Sequence, residues 1–118
     1  MSIDSGLRKE LAKFCSSKRT YRSDFSPTMP THWSPQHVRH PDTGEAFTDP
    51  GAWRFVKDLL EAGHPVEVIT LDKPPGKKGY VLKCKGYSSE IIYIKLQILS
   101  GFVIGRSFHV SVVREKQQ

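Results

Sequence analysis

Residues 93–111 read YIKLQILSGFVIGRSFHVS, two runs of β-branched and aromatic residues meeting at Leu99-Ser100-Gly101. How these runs pair decides the fold, because a one-residue slip moves every side chain to the other face of a sheet. In the first run Ile92, Ile94, Leu96 and Ile98 alternate with Ile91, Tyr93, Lys95, Gln97 and Leu99. The wholly apolar set belongs on a core, and the other set carries the polar groups. In the second run Phe102, Ile104, Phe108 and Val110 alternate with Val103, Gly105, Ser107, His109 and Ser111. A two-residue Ser100-Gly101 loop would pair Leu99 with Phe102 and set the apolar rows on opposite faces. A three-residue loop with Gly101 left-handed pairs Ile98 with Phe102 and brings those rows together. Burial selects the latter. It sets Tyr93 opposite Ser107, Lys95 opposite Gly105 and Ile91 opposite His109, leaving a gap at Gly105. Arg106 falls on the apolar side by alternation, so either a bulge rotates it or it sits at the rim.

Working outward, PVEVITL (65–71), YVLKCK (80–85) and EIIYIKLQIL (90–99) read as strands preceding FVIGRSFHVSVV (102–113). DKPPGKKG (72–79) is a turn or loop enforced by its prolines and glycines. Thr48 is suited to cap a helix, Asp49 to its positive end and Pro50 to its first turn. Ala52, Trp53, Val56, Leu59 and Leu60 form its apolar face, and Gly63 followed by Pro65 stops it. Ile3, Leu7, Leu11 and Phe14 give a second, shorter helix over residues 3–15. Between the helices, residues 16–45 are rich in Ser, Pro, Arg and His and lack periodicity. This is an irregular arm, with Trp33, Val38 and Phe47 suited to pin it. The pattern predicts an α+β fold, helices on one face of a three- to four-stranded antiparallel meander. A basic helix and arm (1–47) precede an α+β core (48–118), within a single domain overall.

The chain has 118 residues and a net charge of +6, which favours a polyanionic partner or an acidic protein. No apolar run of membrane-spanning length and no secretory signal occurs, so a cytoplasmic location and no membrane partner are expected. Cys15 and Cys84 are too few for a disulfide framework and too isolated for zinc. His32, His37 and His40 bring histidines together in the arm, but no cysteine or carboxylate cluster completes a metal site. No cofactor is expected. The 73–80 segment KPPGKKGY lacks the spacing and following helix of a phosphate-binding loop.

The segment YIKLQILSGFVIGRSFHVSVVREK resembles the end of the MqsR-type mRNA interferase toxins, part of the RelE-like assemblage of toxin ribonucleases. The matching residues are Tyr93, Lys95, Leu96, Ser107 and Phe108, and the helix and strands before them come in a compatible order. The resemblance covers about residues 50–115. It implies cleavage of RNA, of ribosome-associated mRNA among others, and a cognate antitoxin as protein partner. It also implies that Tyr93 belongs to the active surface. The position after Ser-Phe, a lysine in that family, is His109 here, so the basic role passes to an imidazole or is lost. Lys83 and Lys85 are further candidates by location only, since the register of their strand is open.

Metal-free RNA cleavage needs a base for the 2′-hydroxyl, cations for the phosphorane and an acid for the leaving 5′-oxygen. His109 is the titrating candidate. Lys95 and Arg106 are suited to neutralise phosphate, and Tyr93 to stack on a base or donate a hydrogen bond. Gln97 and Ser107 would orient substrate beside Lys83 and Lys85. The competing reading is a non-catalytic basic module that binds nucleic acid or protein through the same face, which is then only a solvated sheet surface.

Overall fold

A computed structural model of the chain describes residues 3–17, 21–22, 32–71, 76–88, 90–99 and 101–111. Helix α1 spans Ser5–Cys15, and Asp4 caps it by accepting from the Leu7 amide at 2.7 Å. Helix α2 spans Asp49–Glu61. Thr48 caps α2 through the Gly51 amide at 3.0 Å, and Gly63 takes a left-handed φ of 83° after its end. The guanidinium of Arg8 on α1 donates to the carbonyls of Leu60 and His64, at 3.1 and 2.8 Å. A cation thus meets the negative end of α2 and ties the helices together.

Four strands form the antiparallel meander: β3 (Glu67–Thr70), β4 (Lys78–Lys85), β5 (Ile91–Leu99) and β6 (Phe102–Val110). The sheet is mixed, however, and not antiparallel throughout. Two short segments of the arm, β1 (Tyr21–Arg22) and β2 (His32–Trp33), both pair in parallel with the free edge of β6. They lie opposite Val103–Ile104 and Ser107–Phe108 respectively. The arm therefore covers an edge that would otherwise expose unpaired backbone groups. Such cover has no periodicity of its own, because two-residue strands are too short to show one. The bulk of the segment 18–31, the loop tip 72–75 and residues 112–118 lie outside the described residues, and with them the end of the expected last strand.

The β5–β6 register corrects the expectation from burial. Leu99 pairs with Phe102, the alternative set aside above, and a β-bulge between Lys95 and Leu96 restores the apolar phase farther along. Lys95 is opposite Ser107 while Leu96 is opposite Gly105, so Arg106 is the extra residue. Tyr93 consequently pairs with His109, not Ser107; Lys95 pairs with Ser107, not Gly105; and His109 does not face Ile91. The core row of β6 becomes Val103, Gly105, Phe108 and Val110, with Ile104 on the other face opposite Gln97. One bulge thus achieves what the three-residue turn was expected to achieve.

The core lies between the helices and this face: Leu11, Ala12 and Cys15 from α1, Trp53, Val56 and Leu60 from α2, and Leu82, Ile92, Ile94, Leu96 and Phe108 from the sheet. Val38 and Phe47 of the arm are buried in it. Trp53, only 1% exposed, is sandwiched between Tyr21 at 4.5 Å and Trp33 at 4.6 Å between ring centroids. Both arm strands are thereby fastened to α2 as well as to β6. The expected gap at Gly105 is filled from the core side. A Cβ there would stand 2.5 Å from Trp33 Cε3, so the missing side chain admits the indole and not a ligand.

Candidate functional site

The face of the sheet turned away from the helices carries one row that crosses four strands. Lys83 on β4 pairs with Tyr93 on β5, and Tyr93 with His109 on β6. His32 on β2 completes the row by stacking on His109, with ring centroids 4.2 Å apart and planes 19° from parallel. The Tyr93 and His109 rings are 5.4 Å apart. Lys85 lies one pleat farther along β4, opposite Ile91, so both lysines project on the same side as Tyr93. Residues 86–90 separate β4 from β5, a five-residue connection, which settles the register that the sequence left open.

These side chains bound an open groove of about 580 Å³, lined by Lys83, Lys85, Ile91, Tyr93, His109 and Ser111, with Cys84 at its margin. Ile91 and Tyr93 give it an apolar floor, and the lysines supply positive charge at one wall. His64, just after α2, holds that wall: its Nε2 donates to the Lys83 carbonyl at 2.7 Å. His109 Nδ1 lies 3.1 Å from the Val110 carbonyl. A carbonyl can only accept, so Nδ1 carries the proton and Nε2 is the nitrogen left to exchange one.

Burial raises the pKa of the Tyr93 phenol above its ordinary value, and the Glu67 carboxylate on β3 adds to the effect. Tyr93 is therefore a hydrogen-bond donor throughout the physiological range. The His32 imidazole is pushed below its ordinary value, chiefly by desolvation and secondarily by positive charge on His109. Stacked imidazoles resist a second positive charge for the same reason.

The face divides at the Lys95–Ser107 pair. From that pair onward Ser107, Gln97 and Arg106 are 6%, 1% and 4% exposed, in contrast to the solvated strip the alternation suggests for Gln97 and Ser107. The bulge turns Arg106 onto this face, where its Nη1 donates to Gln97 Oε1 at 2.6 Å. Burial lowers the Arg106 pKa from its ordinary value. The Gln97 amide nitrogen, also buried, has no hydrogen-bond partner among the described residues. Of the eight side chains expected to form the site, Lys83, Lys85, Tyr93 and His109 converge on the groove. Partly buried Lys95 and buried Ser107 sit at the dividing line, and Gln97 and Arg106 form a buried polar pair next to it.

The residue missed by sequence reasoning is His32. The arm histidines drew notice only as an incomplete metal cluster, and in the fold His32 stacks on His109 whereas His40 packs on Phe47 and Phe55. The only available signal was its place beside Trp33, a residue suited to anchor the arm. Among the described residues no group of three or more His, Cys, Asp or Glu side chains is arranged to hold a metal ion. No described helix is long and apolar enough to cross a membrane.

Comparisons with protein-family models, with curated proteins and with solved structures find no match to this chain. The site must speak through its own chemistry.

Proposed function

We infer that the protein is a metal-independent endoribonuclease that cuts single-stranded RNA by general acid–base catalysis. The observation that carries this reading is the convergence of Lys83, Lys85, Tyr93 and His109 on one groove. These are residues of the types the reaction needs. An imidazole moves protons near neutral pH, ammonium groups stabilise the phosphorane, and an aromatic surface beside Ile91 accepts an unstacked base. The basic charge of the chain draws in a polyanion. In this reading Arg106 acts from beneath the face, contributing positive charge and fixing Gln97, while Lys95 and Ser107 sit between groove and buried group.

The likeness of residues 93–116 to the MqsR-type ending supports a toxin role, with mRNA as substrate and an antitoxin as partner. Controlled expression tests it. Induction of the wild type should arrest growth and fragment cellular RNA, and His109→Ala should do neither while expressing at the same level. Growth arrest with intact RNA would favour the binding-module reading, and no arrest would remove the toxin role.

A further inference from the structure

The second imidazole in the row has a consequence for the reaction, one that rests on the ribonuclease reading above. We propose that His32 and His109 form a two-imidazole acid–base pair, with His32 as the base for the 2′-hydroxyl and His109 as the acid for the 5′-oxygen.

The rings stack nearly parallel at 4.2 Å, so their nitrogen edges can address the same phosphodiester from adjacent points. In an in-line displacement the attacking and leaving oxygens lie on opposite sides of phosphorus, a few ångströms apart. Rings this close can present one nitrogen to each of those two oxygens. His109 borders the groove that takes the nucleotide, and His32 stands at the exposed edge of the sheet beyond it. A strand laid along the row from Lys83 through Tyr93 brings its next phosphate to the pair.

Charge assigns the roles. His109 has Nδ1 committed to the Val110 carbonyl, so its exchangeable proton resides on Nε2. Stacking limits the pair to one positive charge, and desolvation together with the charge of His109 keeps His32 neutral. The titratable and charged groups on this face near the pair include Tyr93 and Lys95 on β5, Lys83 and Lys85 on β4, and Glu67 on β3, the last registering at Tyr93. Neutral His32 then takes the 2′-hydroxyl proton while the 2′-oxygen–phosphorus bond forms. The phosphorus–5′-oxygen bond breaks, and His109 Nε2 gives its proton to the departing oxygen. The products are a 2′,3′-cyclic phosphate and a 5′-hydroxyl. With the two proton transfers coupled in one concerted displacement, the pair keeps the single positive charge that stacking favours.

β2 belongs to the arm, which makes the arm a catalytic element as well as an edge cover. Trp33 sets the position of His32 by its stack on Trp53 and by donating from Nε1 to Asp49 at 2.7 Å.

The test uses an oligoribonucleotide containing a mapped cleavage site and the same oligonucleotide with sulfur replacing the bridging 5′-oxygen. A thiolate leaves without a proton, so the sulfur substrate dispenses with the acid but not the base. On the oxygen substrate both His32→Ala and His109→Ala should lose about 100-fold or more in rate. On the sulfur substrate His109→Ala should recover to within about tenfold of wild type, and His32→Ala should not. His32→Gln, which keeps a planar polar side chain on the strand, should behave as His32→Ala and unfold at the wild-type temperature. Wild-type rates from either folded His32 variant would overturn the proposal, as would recovery of His32→Ala instead of His109→Ala. A wild-type protein that cuts neither substrate would overturn the ribonuclease reading, and the pair with it.

Discussion

Replacing Gly105 by alanine tests how the arm is held, and its cost follows from the geometry. The new Cβ would meet Trp33 at 2.5 Å from Cε3, 2.6 Å from Cζ3 and 2.9 Å from Cδ2. The indole cannot retreat freely. It stacks on Trp53 at 4.6 Å, meets Phe108 edge-on at 5.3 Å and donates to Asp49 at 2.7 Å. Overpacking of this kind costs about 1–3 kcal/mol. Partial loss of the aromatic stack adds about 0.5–1.5 kcal/mol and a weakened hydrogen bond about 1 kcal/mol. Against this, alanine gains roughly 0.5–1 kcal/mol over glycine in backbone entropy. The net loss is about 1.5–5 kcal/mol, which lowers Tm by roughly 6–20 °C for a domain of this size. Thermal unfolding of Gly105→Ala, Trp33→Ala and the double variant measures it as a cycle. Adding Gly105→Ala to the Trp33→Ala protein should be neutral or slightly stabilising. A shift of less than about 2 °C in the wild-type background, or an equal loss in both backgrounds, would refute the packing of Trp33 on Gly105. Because Trp33 adjoins His32, RNA cleavage by Gly105→Ala should also fall below the unfolding temperature.

Other outcomes follow from the same contacts. Arg106→Met keeps the aliphatic stem but leaves Gln97 Oε1 buried without its donor, and should cost about 2–4 kcal/mol in chemical denaturation; a loss below about 0.5 kcal/mol would contradict the buried pair. Burial pushes the thiols of Cys84 and Cys15 up to about 11 and about 12, so both should alkylate at pH 8 at least about 100-fold more slowly than free cysteine. A rate near that of the free thiol at either position would place it in solvent. The folded pKa of His32 lies below its ordinary value, so its neutral form is the one the fold favours. Its contribution to stability is full above the unfolded value and is lost as pH falls through the folded one. Wild-type Tm should accordingly drop more than that of His32→Gln between pH 7.5 and 5, and parallel profiles would remove the stacked pair as the cause.

The helices and the central strands were legible because they carry strong local signals. Thr48, Pro50 and Gly63 punctuate α2, and the alternation through Ile92, Ile94, Leu96 and Ile98 fixes which side of β5 meets the core. The membership of Tyr93, Lys95, Gln97, Ser107 and His109 on one face also followed from alternation. Their pairing did not, because burial constrains the phase of a strand and not the place where the phase is corrected. A bulge at Arg106 and a shift at the turn satisfy the same apolar pattern. Depth along the face was likewise hidden: Gln97 read as part of a solvated strip and Arg106 as the exception on the apolar side, yet the two bond to each other in the interior. The arm was the least legible part. Trp33, Val38 and Phe47 marked where it is pinned, but parallel pairing with β6 is a long-range contact that residues 16–45 do not announce. His32 came to the site by that route.

Cleavage of RNA by the purified protein in the presence of EDTA, with both new ends mapped chemically, decides whether the protein is a metal-independent ribonuclease. The wild type should yield 5′-hydroxyl and 2′,3′-cyclic phosphate ends, and His109→Ala, folded to the same Tm, should leave the RNA intact. Intact RNA with the wild type, or undiminished cleavage by His109→Ala, would contradict the account.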